Sequence, residues 1–319
     1  MRLTFHSRSQ AIKNCWRFIK RAIFFIQSKL SKFIIWSSQI TKTEFRLRNE
    51  INRYYDDFYL RKDFSEYISR IFNGKLIHLD VGSRGGSLEI TKKYSKFMEI
   101  IMCEPEKREA KKLREEGFKV IDMPLSKDCQ EATFFETRMP AGSSIYRPQG
   151  PYLDFYDTEP DCSFRYEIIN QRVINCSTLS KELSNLGVLD LDFLKIDTQG
   201  AELDVLMGLG KYRPLIMQVE IEYLPLYHNM PNAYQVCQYL FELGYIPFTL
   251  TSHNARALCP IWGDGFFMPS WVDPKGIELI QAREEKYIAL MLMFGQLTIL
   301  KFVNEKIKLR NASFIKSFN

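Results

Sequence analysis

The stretch FLKIDTQGAELDVL, Phe193–Leu206, joins an apolar run to a polar one without a break. The apolar run ends in Asp197, Thr198, Gln199 and Gly200, and Glu202 and Asp204 follow at once. In an open α/β sheet the carboxyl ends of parallel strands form the rim of the ligand crevice, so polar groups there face a ligand instead of a core. A plain strand-to-helix turn also uses Asp, Thr and Gly as caps, and this stretch alone leaves both readings open.

The surrounding sequence supplies the context. From about residue 74, short apolar runs alternate with helix-like segments, the βαβ pattern of a parallel sheet. Strands are expected at KLIHLDV (75–81), FMEIIMCE (97–104), FKVID (118–122), LDFLKID (191–197), LIMQVEIEY (215–223), YIPFTL (245–250) and GFFMP (265–269). EKREAKKLREEG and AYQVCQYLFELG read as helices between them, the second closed by Gly244. Residues 123–190 interrupt the alternation, and their centre, TRMPAGSSIYRPQGPY, reads as a loop of the length found in lids and inserts.

At 319 residues and 45% hydrophobic, the chain can bury one large core with extensions. Its net charge of +6 is unevenly spread. Residues 1–48 hold eleven Lys or Arg against one acid, Glu44, a net of +10 that leaves −4 for the rest. Nucleic-acid binding would need basic patches on that acidic body, so it is not expected. Ile12, Trp16, Ile19, Ile23, Ile26, Leu30 and Phe33 share one helical face of the arm, with Lys and Arg elsewhere. Such a helix lies on an anionic membrane surface, here through residues 12–36, or packs on a partner or on its own domain.

Seven scattered cysteines form no C-x-x-C pair and have no histidine at metal spacing, which fits reduced thiols in a cytoplasmic protein and no metal centre. No run reaches the roughly 18 apolar residues of a membrane span, and no signal-peptide pattern is expected.

LIHLDVGSRGG (76–86) is a strand followed by a glycine turn in which Gly82, Gly85 and Gly86 let the backbone approach a ligand. The spacing is not that of dinucleotide binders, and Asp80 just before the turn disfavours a pyrophosphate while favouring an amino group or cationic centre. Glu104, ending the second strand in IMCEPE, can accept both hydroxyls of a ribose, or serve as a first-turn acid before Pro105. Asp122, ending the third, can face an adenine ring or stay in its turn. Together these residues imply a nucleoside ligand without a phosphate chain, and S-adenosylmethionine fits.

Over roughly residues 74–270 the chain resembles the FkbM-type methyltransferases. The segments that carry the resemblance are LDVGSRGG, CEPE, PLSKDCQEATFFETRMPAGSSIY, STLSKEL, DFLKIDTQGAELDVLMG, VEIEYLPLY and WGDGFF, in the family's order. The resemblance implies a Rossmann-like, seven-stranded class I methyltransferase sheet, mostly parallel with one antiparallel strand near its edge. It also implies S-adenosylmethionine as donor and a hydroxyl of a saccharide, a glycan or a small natural product as acceptor. Ser83–Arg84 stands where Ala–Asn is frequent, the feature that would suit a non-catalytic binding module instead.

The expected organisation is a basic amphipathic arm (1–48), a helical linker (49–73), a methyltransferase domain (74–272, with 123–190 as lid or insert) and a helical extension (273–319). Cofactor contacts are expected from Asp80, Gly82, Ser83, Gly86, Glu104, Asp122, Asp197 and Gln199. Asp197 is expected to orient cofactor or acceptor, and Glu222 or His228 to act as general base, with Glu220 and Asp264 as further rim acids. The charged arm suggests a cytoplasmic enzyme held at the inner membrane surface.

Overall fold

The computed structural model describes residues 62–84, 88–156, 162–255 and 259–311, which belong to one compact unit, Tyr59–Ala312. The basic arm and Gly86 lie outside the described residues.

The strands are β1 (Leu76–Val81), β2 (Met98–Cys103), β3 (Lys119–Ile121), β4 (Glu131–Thr137), β5 (Ile168–Asn175), β6 (Phe193–Ile196), β7 (Ile216–Glu222), β8 (Tyr245–Leu250), β9 (His253–Ala255) and β10 (Cys259–Pro269). The main sheet runs β3-β2-β1-β6-β7-β10-β8, with β9 paired to β10. The pairs β1–β2, β2–β3, β1–β6 and β6–β7 are parallel, and β10 is antiparallel to both β7 and β8. This is the expected class I sheet, with one reversed strand next to the β8 edge. The reversed strand begins earlier than the run GFFMP indicates, because its first half alternates buried and half-exposed residues and forms a hairpin with β9.

The helices are α1 (Ser65–Ile71), α2 (Glu89–Lys93), α3 (Lys107–Glu115), α4 (Gly150–Tyr156), α5 (Cys162–Arg165), α6 (Leu179–Asn185), α7 (Glu202–Met207), α8 (Ala233–Glu242), α9 (Pro274–Ala282), α10 (Glu284–Met293) and α11 (Leu297–Ile307). One sheet face presents Leu79, Val81, Leu194, Ile196, Met217, Val219 and Ile221 to Leu183 of α6, Val205 and Leu206 of α7 and Leu240 of α8. Period-two alternation sends the intervening residues to the opposite face. There His78 stacks on Phe193 at 4.3 Å, and the rings of Phe193 and Phe266 meet Phe294 at 5.1 and 6.0 Å. Leading up to Phe294, Tyr287 through Met293 of α10 are buried without interruption, which explains why YIALMLMF shows no one-sided stripe.

Within the described residues, the C-terminal helices α10 and α11 therefore contribute buried side chains to the core. Asp192, fully buried beside β1, accepts from the Ile77 N–H at 2.7 Å and pairs with Arg283 and Lys286 of this C-terminal region. The 123–190 segment holds a two-stranded antiparallel sheet, β4–β5, and its loop centre is reduced to a short 3-10 turn, Pro140–Gly142, followed by α4. No helix among the described residues is long and apolar enough to cross a membrane.

Candidate active site

The carboxyl ends of β1, β2, β3, β6 and β7 open into one cavity of ≈ 1350 Å³, with the start of β10 on its far side and the β4–β5 hairpin over it. On the sheet face opposite Leu79 and Val81, the last residues of the strands are polar and in register. Asp80 of β1 stands beside Lys195 of β6, which stands beside Gln218 of β7. One step further, Glu220 pairs with Asp264 and Glu222 with Trp262 across the β7–β10 ladder.

At the β1 turn, Gly82 takes the left-handed φ of 81°, and a Cβ there would lie 1.8 Å from the Asp197 carbonyl oxygen. Glycine is thus required by conformation and by the closeness of two strand ends. The Gly82 and Ser83 N–H groups and the Ser83 hydroxyl all donate to the Cys103 carbonyl, at 3.0, 3.3 and 3.1 Å. Gly82 lines the cavity, whereas Ser83 is buried behind it as a tie between β1 and β2. Arg84 also lines the cavity, its guanidinium 3.8 Å from Glu106.

Glu104 is 5% exposed and forms part of the wall at the end of β2. It accepts from the Glu106 N–H at 2.9 Å. The cap of α3 is Glu106, which accepts from the Arg108 and Glu109 N–H groups, so Glu104 is not consumed as a cap. Burial raises its pKa above the ordinary glutamate value, and the Glu106 N–H and Arg84 oppose that rise. Asp122, at the end of β3, lines the same region and is held by Arg114 at 2.8 Å.

Asp80 does not reach the cavity wall. Its side chain is 1% exposed, and Oδ1 has no hydrogen-bond partner, lying 3.3 Å from Lys195 Nζ. The same ammonium is 3.3 Å from Asp197 Oδ2. Burial lowers the Lys195 pKa, and the two carboxylates more than reverse this, leaving it above the ordinary lysine value. The cation facing the cavity here is one that the sequence pattern does not single out. Lys195 sits in the apolar run FLKI, and only its register opposite Asp80 and its position two residues before Asp197 signal its place.

Glu202 closes the TQG turn at the end of β6. Its Oε1 accepts from the Thr198 N–H at 2.7 Å, the Thr198 hydroxyl at 3.1 Å and the Gly200 N–H at 3.3 Å. Burial raises the Glu202 pKa from 4.5 to about 7. The closed turn holds Gln199 at a φ of 58° and its amide donates to Asp197 Oδ1 at 3.1 Å and Glu220 Oε2 at 2.8 Å. Tyr227 hydroxyl meets Gln199 Oε1 at 3.1 Å, and the Ser144 hydroxyl donates to the Gln199 carbonyl at 2.7 Å, tying the insert to this turn.

Glu222 is 4% exposed, lines the cavity, and its Oε2 has no hydrogen-bond partner. Burial, with Glu202 and Asp197 adding to it, pushes its carboxyl well above the usual range; Glu220 is raised in the same sense by burial, Asp197 and Glu202. Asp264 accepts from the Gln218 amide at 3.0 Å on the same wall. His228 is exposed and is not among the residues that line the cavity. No group of residues that could hold a metal ion occurs among the described residues.

This arrangement fits S-adenosylmethionine: a glycine-bent strand end for close approach, an uncapped buried carboxylate for ribose hydroxyls, and charges of both signs where β1 meets β6. The methyltransferase FkbM domain model matches residues 88–247. No curated protein matches the chain. Among solved structures, magnesium protoporphyrin IX methyltransferase from Synechocystis PCC 6803 with bound SAM is similar at 10% identity and a TM-score of 0.33, covering 77% of this chain and 96% of that one. TrmK of M. capricolum with S-adenosylhomocysteine is similar at 9% identity and a TM-score of 0.34, covering 81% of this chain and 92% of that one.

Proposed function

The chain belongs to the FkbM methyltransferase family, a family that uses S-adenosylmethionine, and from that premise we propose that it methylates a hydroxyl of a saccharide, a glycan or a small natural product. The observation that carries this reading is that Gly82, Glu104, Asp197 and Glu222 wall a single cavity at the strand ends. The bound donor supplies a methyl group already activated by positive sulfur, so the protein chiefly contributes alignment.

Glu104 accepts the ribose hydroxyls, Gly82 admits the donor close to the backbone, and Asp122 borders the adenine side. Ser83 supports the turn from behind. Asp197 and Gln199 orient the reacting groups between β6 and β7. Glu222 takes the acceptor's proton, since its Oε2 has no other partner in the cavity wall and a carboxyl raised by burial is a stronger base than an ordinary one. We assign this role to Glu222 in preference to the exposed His228.

Residues 74–272 supply the catalytic residues, 123–190 cover the cavity, and the basic arm holds the enzyme peripherally at an anionic, cytoplasmic membrane surface. The last point is checked by fusing residues 1–40 to a fluorescent protein: co-sedimentation with anionic vesicles is expected, and a fully soluble fusion contradicts it.

The experiment for the reaction is transfer from labelled S-adenosylmethionine to a panel of glycosides and phenols, with S-adenosylhomocysteine binding measured alongside. Transfer to a hydroxyl that Glu222→Gln abolishes while binding persists supports the assignment. Tight binding with no transfer to any hydroxyl compound would favour a non-catalytic module.

A further inference from the structure

The methyl donor ends in an amino acid, and a site that takes the whole molecule must match its carboxylate and its ammonium with groups of opposite sign. The β1 turn cannot supply the donors through Gly82 and Ser83, because both N–H groups are spent on the Cys103 carbonyl. Among the described residues, the walls hold three pairs that carry both signs. Arg84–Glu106 lies at the α3 cap beside Glu104, where the ribose is expected, and Arg172–Glu136 lies out on the hairpin. Lys195–Asp197 stands next to Gly82 at the meeting of β1 and β6, with the lysine side chain 11% exposed against 33% for Arg84 and 49% for Arg172.

The Lys195 ammonium has three N–H groups, and two carboxylates, Asp80 and Asp197, lie within 3.3 Å of it. One N–H donates to Asp197 and Asp80 is an ion-pair neighbour, which leaves donor capacity for the cavity that Lys195 lines. Asp80, buried and behind the wall, fixes the lysine from below, while Asp197, with 39% of its side chain exposed, keeps an accessible carboxylate. A lysine in the middle of a central strand is costly unless it is paired. Here the pairing also leaves it facing the ligand.

We propose that Lys195 binds the carboxylate of the cofactor's methionyl end and Asp197 its ammonium, with Asp80 as the buried counter-ion that positions Lys195. The assignment rests on the reading of this cavity as the S-adenosylmethionine site. It makes Lys195 the residue that distinguishes the complete cofactor from its nucleoside half.

The test is calorimetric titration of the full-length protein with S-adenosylhomocysteine and with 5′-methylthioadenosine, which lacks the amino acid. Lys195→Met is expected to weaken S-adenosylhomocysteine by about tenfold to a hundredfold, the range of a charged hydrogen bond, and to leave methylthioadenosine within about twofold. Unchanged affinity for S-adenosylhomocysteine, or an equal loss for both ligands, overturns the proposal. Should Lys195→Met fail to fold, Lys195→Gln is read by the same ratio. Wild-type protein that binds methylthioadenosine alone overturns this assignment but spares the nucleoside site, whereas wild type that binds neither overturns both.

Discussion

The Gln199 amide donates to the Glu220 carboxylate across 2.8 Å from a residue in the left-handed conformation. The same nitrogen reaches Asp197, so one side chain joins the ends of β6 and β7 where donor and acceptor are to meet. Removing it leaves two buried or half-buried carboxylates without their shared donor. Gln199→Ala is expected to slow methyl transfer by about tenfold to a hundredfold while changing S-adenosylhomocysteine affinity much less, since the loss falls on alignment. Single-turnover rates beside a binding titration check it, and an affinity loss as large as the rate loss would move Gln199 to the cofactor.

Glu202 closes the turn that holds Gln199, and its pKa of about 7 lies above the 4.5 of an unfolded glutamate. A group raised in the folded state contributes stability that is complete below the unfolded value and is lost as pH rises through the folded one. The wild type therefore loses stability from this group between about pH 4.5 and 7. Glu202→Gln keeps a carbonyl acceptor for Thr198 and Gly200 but cannot ionise. Its stability relative to wild type should rise across that window, by up to about 3 kcal/mol. Urea denaturation of both proteins at several pH values reads this difference, and a difference independent of pH would contradict it.

Asp192 ties the C-terminal helices to the sheet through Arg283 and Lys286 while accepting the Ile77 N–H. Asp192→Ala strands two cations and a backbone donor, and a loss of about 3–5 kcal/mol is expected. A loss below about 1 kcal/mol in chemical denaturation would show that these helices are not held through this residue.

His78 is fully buried on Phe193 with neither ring nitrogen hydrogen-bonded, and burial lowers its pKa to about 3. A phenylalanine keeps the stacking and removes the unsatisfied polar atoms. His78→Phe is expected to stabilise the fold by about 1–2 kcal/mol. The gain should grow as the pH is lowered from 6.5, where an unfolded histidine takes a proton that the buried ring resists. Destabilisation of the variant at every pH would contradict this.

The central strands are legible because parallel strands buried on both faces read as continuous apolar runs, as in KLIHLDV and LIMQVEIEY. The hairpin of β4 and β5 is not, since Ile168–Asn175 is exposed along most of its length and carries no core pattern. The β9–β10 hairpin hides behind Gly263 and Gly265, which pack closely against Thr251, Ser252 and Phe267 and read as loop residues. At the cavity, acids at strand ends stand out in the sequence, and Glu104, Asp197 and Glu222 do line its wall. Strand-end position does not reveal whether a side chain points into the cavity or behind it, which separates Asp197 from Asp80. Lys195 is missed because a lysine inside FLKI looks like an interruption of a strand.

The most direct measurement is calorimetric titration of the protein with S-adenosylhomocysteine, in wild type and in Glu104→Ala. The account predicts micromolar binding that the substitution weakens by about 1.5–3 kcal/mol, the cost of a lost charged hydrogen bond. Undiminished binding in a folded Glu104→Ala protein, or none in wild type, would contradict the placement of the cofactor in the cavity at the strand ends.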